Sequence, residues 1–317
     1  MKVAVLAGGS SLEREVSLRS GRRVQAALAS LAHDATVLDP AEVPLADALG
    51  REQYDAAYIA LHGVEGEDGT VQRLLELLEI PYTGTKPFSC QVAFDKALAK
   101  ESLAHAGIPT PRWFTVQAAA LRDLGAGAAL GRIIERLGLP LVVKPARAGS
   151  AMGLRFVETE ADLPAAVMGA LSFSDAVVVE RKIEGTEVAA GLIGAPVSAL
   201  PLVEVVPKSG VYDYASRYTA GATEYHAPAR VPPDVGAACE REALEAFATL
   251  GLRDVARADL MVDDEGKPWV LEVNVAPGMT ETSLLPMAAQ AAGMSFEELC
   301  EQVLELAVAR SGASAPN

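Results

Sequence analysis

The residues with the clearest capacity for chemistry lie between Arg257 and Asn274. Arg257 and Asp259 are two residues apart, as are Glu272 and Asn274. Residues two apart on a strand share a face, so a hairpin turning at Glu265-Gly266 would set Asp259 opposite Glu272. Arg257 would then face Asn274. Facing carboxylates repel unless a cation lies between them, and carboxylate and amide oxygens suit Mg²⁺, so the stretch predicts either a metal site or a surface hairpin in which Arg257 bridges Glu272.

A second candidate is the small-residue loop that follows Lys144. Residues 144–153 read KPARAGSAMG and lie between two predicted strands. Small residues let backbone N–H groups approach phosphate oxygens, and a lysine at a strand end can meet their charge. The segment is not a P-loop, because it leads into a strand and lacks the G-K-[ST] ending. A phosphate-binding loop and an ordinary hairpin loop are both consistent with it.

His62 is a third candidate, because it ends an apolar strand and begins a loop rich in Gly, Glu and Asp. Loops at the carboxyl ends of parallel strands are where α/β sheets bind ligands, so His62 could line a ligand site. The alternative is a capping histidine beside a solvated acidic loop.

The composition limits the classes of protein and partner. The chain has 317 residues, 50% hydrophobic and 22% charged, which is typical of a globular protein of two or three domains. A net charge of −15 argues against nonspecific binding to nucleic acid or anionic lipid. The three cysteines are widely spaced, which supports neither a disulfide framework nor a zinc site. No apolar run is long enough for a membrane span or a signal peptide, so we expect a soluble, cytoplasmic protein.

The elements that position these residues follow from hydrophobic periodicity. Strands at Val3–Leu6 and Ala56–Leu61 alternate with helical patterns, including one over Thr70–Glu79. This alternation predicts a parallel sheet with right-handed crossovers. A further single helix is predicted over Ala93–Ala106.

The rest of the chain reads differently. Pro109 and Pro111 mark a domain boundary, and a small α+β module follows as far as Arg181. A long strand and hairpin run from Glu187 to Val206. The segment 207–228 has no periodicity, and an irregular loop of this length tends to be functional.

The order of these motifs resembles the D-alanine–D-alanine ligase family of the ATP-grasp superfamily. The similarity begins with Gly-Gly-Ser and EREVSL at residues 8–18, continues through HG and GEDG at 62–69, and extends to about Ala307. The resemblance implies an α/β (α+β) fold of three lobes. These are an N-terminal parallel-sheet α/β lobe over 1–95, a central ATP-grasp lobe over 96–183, and a C-terminal ATP-grasp lobe over 184–317 with a lid at 207–228.

The resemblance also implies an activity. Such a protein would be an ATP-dependent, ADP-forming ligase that joins two D-alanine molecules through a D-alanyl phosphate, in the synthesis of cell-wall peptidoglycan precursors. ATP and two Mg²⁺ ions, with Mn²⁺ as a substitute, would be its cofactors, and it would form a homodimer. The alternatives are an ATP-grasp carboxylate–amine ligase with other amino-acid substrates, or a nucleotide-binding relative without catalysis.

Roles for individual residues come from the same resemblance. Substrate-binding and catalytic roles would fall to Glu15, His62, Ser150, Tyr218, Arg257, Gly278 and Ser283. Glu15 would bind the ammonium of the first D-alanine, and Tyr218 of the lid would be linked to Glu15 through Ser150. ATP would be bound by Lys96, Lys144, Ser150, Ala151, Glu180, Arg181, Ile183, Glu187 and Leu271. The metal ligands would be Asp259, Glu272 and Asn274.

Some positions depart from the usual family pattern. Arg217 stands where a lysine is usual, and Ala151 stands where a second serine is common. The Val275-Ala276 pair also departs. These substitutions leave room for a shifted acceptor, although the resemblance links Tyr218 to enzymes that form the amide D-alanyl-D-alanine rather than the ester with D-lactate.

Overall fold

Three β-sheets organise the chain, each built from a different stretch of the sequence. The computed structural model describes residues 1–213, 216–217, 219 and 221–311. In this part of the chain, no helix combines the length and the apolar character needed to cross a membrane.

The first sheet is parallel, with the strand order β2-β1-β3. Its strands and helices are β1 (Lys2–Leu6), α1 (Arg14–Ser30), β2 (Asp34–Leu38), α2 (Leu45–Arg51), β3 (Ala56–Ile59) and α3 (Thr70–Leu77). Strands β1 and β3 are buried because apolar clusters cover both faces of the sheet. The predicted parallel sheet is confirmed. The sequence analysis did not identify β2, which is an edge strand of only partly buried and exposed residues.

Two short helices connect this sheet to the next one. The helix predicted over Ala93–Ala106 is present as α5 (Lys96–His105), but it begins three residues later than predicted, because Ala93 and Phe94 belong to a separate helix, α4 (Pro87–Phe94). The Asp95 carboxylate accepts hydrogen bonds from the first backbone N–H groups of α5, as an N-cap does. The break places Lys96 at the start of a helix, facing the loop after Lys144.

The second sheet is antiparallel, with the order β4-β7-β5-β6. Its elements are β4 (Trp113–Gln117), α6 (Ala118–Asp123), α7 (Gly131–Leu137), β5 (Leu141–Pro145), β6 (Arg155–Val157), α8 (Leu163–Ala170) and β7 (Ala176–Arg181). Helices α7 and α8 pack on one face and form an apolar cluster with the sheet that is separate from the others.

The third sheet is also antiparallel, with the order β11-β10-β8-β12-β13 and β9 paired to β8. Its elements are β8 (Thr186–Gly194), β9 (Val197–Ala199), β10 (Val203–Pro207), β11 (Thr223–His226), α9 (Pro233–Thr249), β12 (Val255–Val262), β13 (Pro268–Asn274), α10 (Leu284–Ala291) and α11 (Phe296–Ser311). The segment predicted to be irregular contains β11, which pairs with β10.

The first and third sheets share one hydrophobic core. Val5 and Tyr58 of the parallel sheet belong to the same cluster as Leu285 of α10 and Leu304 of α11. Each sheet lies within one of the three predicted lobes, whose boundaries stay a prediction. The shared core makes the N- and C-terminal stretches one packed body, with the central sheet as a separately packed unit.

Candidate active site

The β12–β13 hairpin has the register that the spacing predicts. Asp259 lies opposite Glu272, and Arg257 lies opposite Asn274. The alternative of a surface hairpin is wrong, because Arg257 and Asp259 are only 8% and 4% exposed. Arg257 does not bridge Glu272. Its Nε and one terminal nitrogen lie 2.7 and 2.8 Å from the two oxygens of Asp259 on the same strand face.

A β-bulge in this hairpin changes which side chains it presents. The register shifts between Asp259 and Leu260, so Leu260 pairs with Val270 and Leu271 is the extra residue. Val270 is fully buried in the core, whereas Leu271 and Glu272 both line a cavity. Neighbours on a regular strand face opposite sides, so the bulge is what brings these two side chains into one site.

The larger of two adjoining cavities lies between the second and third sheets. It has about 180 Å³ of open space and combines apolar side chains with lysines and acids. All the predicted ATP-binding residues except Ser150 line it, namely Lys96, Lys144, Ala151, Glu180, Arg181, Ile183, Glu187 and Leu271, and so do Asp259 and Glu272. An apolar slot beside buried cations suits a flat base joined to phosphates.

The acids of this cavity differ in their electrostatic environment. Burial alone would raise the pKa of Glu272, but Lys96, Arg217 and Lys144 lower it to about 2. The Lys96 ammonium is 3.2 Å from Glu272 and 2.7 Å from the carbonyl oxygen of Ala148. Burial raises the pKa of Glu187 to about 7. Glu272 is therefore a permanent anion held among cations.

The smaller cavity, of about 70 Å³, is mainly polar and borders the hairpin at Arg257 and Asn274, on the face that presents Asp259 and Glu272 to the larger cavity. Its lining includes Glu13, His62, Glu67, Ser150, Arg257, Asn274, Gly278 and Ser283. Tyr212 and Arg217 line both cavities. The two spaces therefore adjoin at the hairpin, one large enough for part of a nucleotide and the other for an amino acid.

Glu13 and Glu67 are the acids that line the smaller cavity, and Glu15 is not among them. Glu15 is exposed on α1 and does not line the cavity, so its predicted placement in the site is wrong. Glu13 is 5% exposed, its Oε1 accepts a hydrogen bond from the Ser150 hydroxyl, and its Oε2 has no hydrogen-bond donor among the described residues. Glu13 immediately precedes α1, whereas Glu15 lies in the first turn of the helix and is exposed to solvent.

Two glycines make room for the Glu13 carboxylate. A Cβ atom added at Gly149 would lie 2.3 Å from Oε2 of Glu13, and one added at Gly63 would lie 2.6 Å from it. Both distances are far inside van der Waals contact. The residues that identify Glu13 as the buried acid, namely Glu13 itself, Gly63 and Gly149, therefore lie in three segments that are far apart along the chain.

Glu13 and Glu67 form a pair of buried carboxyl groups. The Gly63 N–H donates a 2.9 Å hydrogen bond to Oε1 of Glu67. Burial, followed by the charge of Glu13, raises the pKa of Glu67 to about 8, and burial also raises the pKa of Glu13. At neutral pH this pair of carboxyl groups therefore holds one proton. The pairing of Glu13 with Glu67 was not predicted from the sequence.

His62 lines the smaller cavity with both ring nitrogens occupied. Nδ1 is 3.2 Å from the Ala276 carbonyl oxygen, and Nε2 is 2.9 Å from the Ser20 hydroxyl. A carbonyl only accepts, so Nδ1 carries the proton and Nε2 accepts from Ser20, whose oxygen accepts from the Met279 N–H. Burial lowers the pKa of His62 to about 4. Neutral His62 thus positions the 276–279 segment, and the alternative of a cap beside a solvated loop is wrong.

Gly278 and Ser283 lie together at the start of α10. A Cβ atom on Gly278 would approach the Ser283 hydroxyl oxygen to 2.7 Å. That hydroxyl accepts a 2.9 Å hydrogen bond from the Thr280 N–H and lies 2.9 Å from the Thr280 hydroxyl. Gly278 and Ser283 both line the smaller cavity.

The predicted lid contact is described only in part. Tyr218 lies outside the described residues, so the chain from Tyr218 through Ser150 reduces to the contact of Ser150 with Glu13. Arg217 is described, and the carbon of its guanidinium is 4.3 Å from the ring centroid of Tyr212. In the sequence, Arg217 is only a departure from the family pattern. In the structure, it lies beside both cavities.

The predicted metal ligands fit a hard divalent cation in donor type. Asp259, Glu272 and Asn274 come from facing hairpin positions, and the Asn274 amide nitrogen is 3.1 Å from Asp259. Within the described ranges, no group of three His, Cys, Asp or Glu side chains is arranged to hold a metal ion. In nucleotide sites Mg²⁺ takes one or two carboxylates and completes its shell with phosphate and water, so this set is sufficient in kind.

Two antiparallel sheets enclose the lysine-lined cavity, which lies next to an acidic hairpin and a second cavity of the size of an amino acid. This arrangement defines the ATP-grasp class of ligases. Comparison with known families agrees. The family model described as "D-ala D-ala ligase C-terminus" matches residues 103–305, and "D-ala D-ala ligase N-terminus" matches residues 41–85. The chain belongs to the D-alanine–D-alanine ligase family.

Individual relatives and solved structures support the assignment. The chain is 44% identical to the D-alanine–D-alanine ligase of Pelotomaculum thermopropionicum over 98% of both chains. It is 46% identical to that of Syntrophotalea carbinolica over 96% of this chain and 95% of the relative. The ATP complex of the Bacillus anthracis ligase superposes with a TM-score of 0.84 at 29% identity, covering 99% of this chain and 100% of that one. The VanG D-Ala:D-Ser ligase of Enterococcus faecalis gives 0.82 at 27% identity, with coverage of 96% and 98%.

Proposed function

We propose that the protein joins two D-alanine molecules into D-alanyl-D-alanine through a D-alanyl phosphate, with ATP converted to ADP and phosphate. The observation that carries the proposal is the junction of the two cavities at the β12–β13 hairpin. Arg217 and Tyr212 line both spaces, so a phosphoryl group held in one lies next to a carboxylate held in the other.

Glu13 binds the ammonium group of the first D-alanine in this proposal, taking the role that the resemblance implied for Glu15. A buried carboxylate oxygen without a donor is costly, and a substrate ammonium supplies a charge-assisted hydrogen bond. The Ser150 hydroxyl holds the other oxygen of Glu13 in place. The substrate carboxylate is then directed towards the hairpin and the larger cavity.

The first chemical step transfers the γ-phosphoryl group of ATP to that carboxylate, which is otherwise a poor electrophile. Lys96, Lys144 and Arg217 supply positive charge around the transferred group. Asp259, Glu272 and Asn274 would hold two Mg²⁺ ions, or Mn²⁺, which neutralise phosphate charge when bound. Gly210, Val211 and Tyr212 border the larger cavity, where they limit the access of water to the acyl phosphate.

In the second step the amine of the second D-alanine attacks the acyl carbon and phosphate leaves. Negative charge develops on the acyl oxygen, where the Arg257 guanidinium and the Gly278 N–H stabilise it. Loss of one such donor typically costs about 10²–10³ in rate. Ser283 binds the carboxylate of the second D-alanine. His62 holds the segment that carries Gly278 through its hydrogen bond to Ala276.

A second candidate differs only in the acceptor. The VanG D-Ala:D-Ser ligase of Enterococcus faecalis has nearly the same fold, so the architecture alone does not select D-alanine as the second substrate. The proposal also includes a homodimer, to be tested by sedimentation, and a cytoplasmic location, where ATP is available.

The deciding experiment is a product assay. The protein is incubated with ATP, Mg²⁺ and D-alanine, alone or with D-serine, D-lactate or L-alanine, and phosphate and products are measured. We expect equal amounts of phosphate, ADP and D-alanyl-D-alanine. Phosphate release that depends on a different amino acid would indicate another ligase. ATP binding without any release dependent on an amino acid would indicate a non-catalytic relative.

A further inference from the structure

Two buried lysines share one carboxylate beneath the larger cavity. The Lys100 ammonium is 2.8 Å from Oε2 of Glu180, and the Lys144 ammonium contacts Oε1 of the same group. Lys100 and Glu180 are each 2% exposed. A lysine is rarely buried this fully without an acidic partner, and one carboxylate balances the charge of only one lysine. The cluster of Lys100, Lys144 and Glu180 therefore has a net charge of +1.

Only one of the two lysines can reach a ligand. Lys144 lines the larger cavity and Lys100 does not. The Lys100 ammonium donates hydrogen bonds to the Thr110 hydroxyl at 2.7 Å and to the Pro111 carbonyl oxygen at 3.1 Å, and it forms an ion pair with Glu180. These contacts hold Lys100 within the protein, away from the cavity.

We propose that Lys100 is a positioning residue for nucleotide binding, which neutralises and holds Glu180 so that Lys144 keeps its positive charge for phosphate. This inference rests on the proposed ATP site. With Lys100 in place, Lys144 can turn from Glu180 to a phosphate without leaving a buried carboxylate uncompensated. Without Lys100, the same movement would strand Glu180, and an unpaired buried charge is strongly unfavourable.

The protonation of the three groups agrees with this division. Burial alone would raise the pKa of Glu180, but Lys100 and Lys144 together lower it. Burial lowers the pKa of Lys100, whereas Glu180 and Glu272 outweigh burial and raise the pKa of Lys144. Lys144, which faces the cavity, is thus the lysine whose positive charge is more strongly stabilised by its surroundings.

The test compares variants that change or keep the net charge of the cluster. Lys100→Met lowers it to 0, and the conservative variant Lys100→Arg keeps it at +1. We expect Lys100→Met to weaken ATP binding at least tenfold, about 1.4 kcal/mol, measured by titration calorimetry without D-alanine. In steady state the KM for ATP should rise while kcat and the KM for D-alanine change less than threefold. Lys100→Arg should bind ATP within threefold of the wild-type Kd.

The matched control is Lys2→Met. Lys2 makes similar contacts, 2.7 Å to Glu52 and 5.3 Å to the Tyr54 ring centroid, where Lys100 is 5.3 Å from the Trp113 ring centroid. It does not line either cavity, so its removal should leave ATP binding unchanged.

The proposal is overturned if Lys100→Met binds ATP within twofold of wild type, or if Lys100→Arg binds no better than Lys100→Met. Should Lys100→Met fail to fold, Lys100→Arg still decides, because it keeps the charge of the cluster and must bind ATP at near wild-type strength. A wild-type protein that binds ATP but forms no D-alanyl-D-alanine would contradict the proposed function and leave this comparison valid.

Discussion

The hydroxyl of Ser150 donates a hydrogen bond to Oε1 of Glu13, 137 residues earlier in the chain. The contact joins the loop between β5 and β6 to the start of α1, and so connects the central sheet with the parallel sheet. Ser150 and the next residue, Ala151, have φ values of +51° and +54°, which non-glycine residues adopt only rarely. In the proposed mechanism, Oε2 of Glu13 binds the substrate ammonium. The Glu13 carboxylate is then shared by the loop that would cover ATP and by the site of the first D-alanine.

Glu13 and Glu15 provide a matched pair of variants. Glu13→Gln should lower kcat/KM for D-alanine by about 10- to 100-fold, since a hydrogen bond to a charged group contributes about 1.5–3 kcal/mol. Glu15→Gln should change it less than twofold, because Glu15 is exposed outside the cavity. Initial rates at saturating ATP measure both. If Glu15→Gln were the damaging change, the placement of Glu13 as the substrate-binding acid would be wrong.

Gly149→Ala tests the close approach of the loop to Glu13. Its new methyl group would lie 2.3 Å from Oε2 of Glu13, so we expect a strong loss of D-alanine-dependent phosphate release. The Kd for ATP should change little, because Gly149 does not line the larger cavity. Gly50→Ala is the control, since a Cβ at Gly50 meets nothing within 4 Å. Full activity of Gly149→Ala would show that Glu13 can move without consequence.

The proposed metal ligands should affect both activity and stability. Glu272→Gln should abolish Mg²⁺-dependent phosphate release and lower the melting temperature, because the Lys96 ammonium 3.2 Å away loses its partner and the lowered pKa of Glu272 reflects stabilisation of its anion by the surrounding cations. Asp259→Asn should lose activity and also stability, since buried Arg257 loses its ion pair with both oxygens. Phosphate release across a Mg²⁺ titration, with thermal melts, checks both. Near-normal turnover of Glu272→Gln would refute the metal assignment.

Stability should depend on pH through Glu67. The folded pKa of about 8 lies above the usual 4.5, so the folded state binds more protons than the unfolded state between these values. The contribution of Glu67 is thus complete below pH 4.5 and is lost as pH rises towards 8. Glu67→Gln should gain stability relative to wild type over this range, by up to about 1.4 kcal/mol per pH unit. Urea unfolding at pH 5 and pH 8 measures the difference, and an equal difference at both values would contradict the raised pKa.

The acceptor prediction follows from the family resemblance. At neutral pH the protein should form D-alanyl-D-alanine and little D-alanyl-D-lactate when both acceptors are present. Tyr218→Phe should slow amide formation and raise the share of ester. Mass spectrometry of the mixed-acceptor reaction decides this, and substantial ester formation by the wild-type protein would refute it.

The sequence by itself determined the features that depend on neighbours along the chain. Strand alternation and a short turn predicted that Asp259 faces Glu272, because the register of a hairpin follows from its own turn and pleat. The parallel order of the first sheet followed from alternating strands and helices in the same way. Even here the bulge that brings Leu271 and Glu272 into one cavity was not predicted, since no residue pattern marks it.

Only the tertiary structure decided between groups that look equivalent in sequence. Glu13 and Glu15 are both acids at the start of one helix, and the difference between them comes from Gly63 and Gly149, which close around Glu13 from distant segments. Lys100 likewise acquires its role from Thr110, Pro111 and Glu180. Local propensities cannot encode these contacts, because burial and hydrogen bonding between distant segments arise only when the sheets pack together.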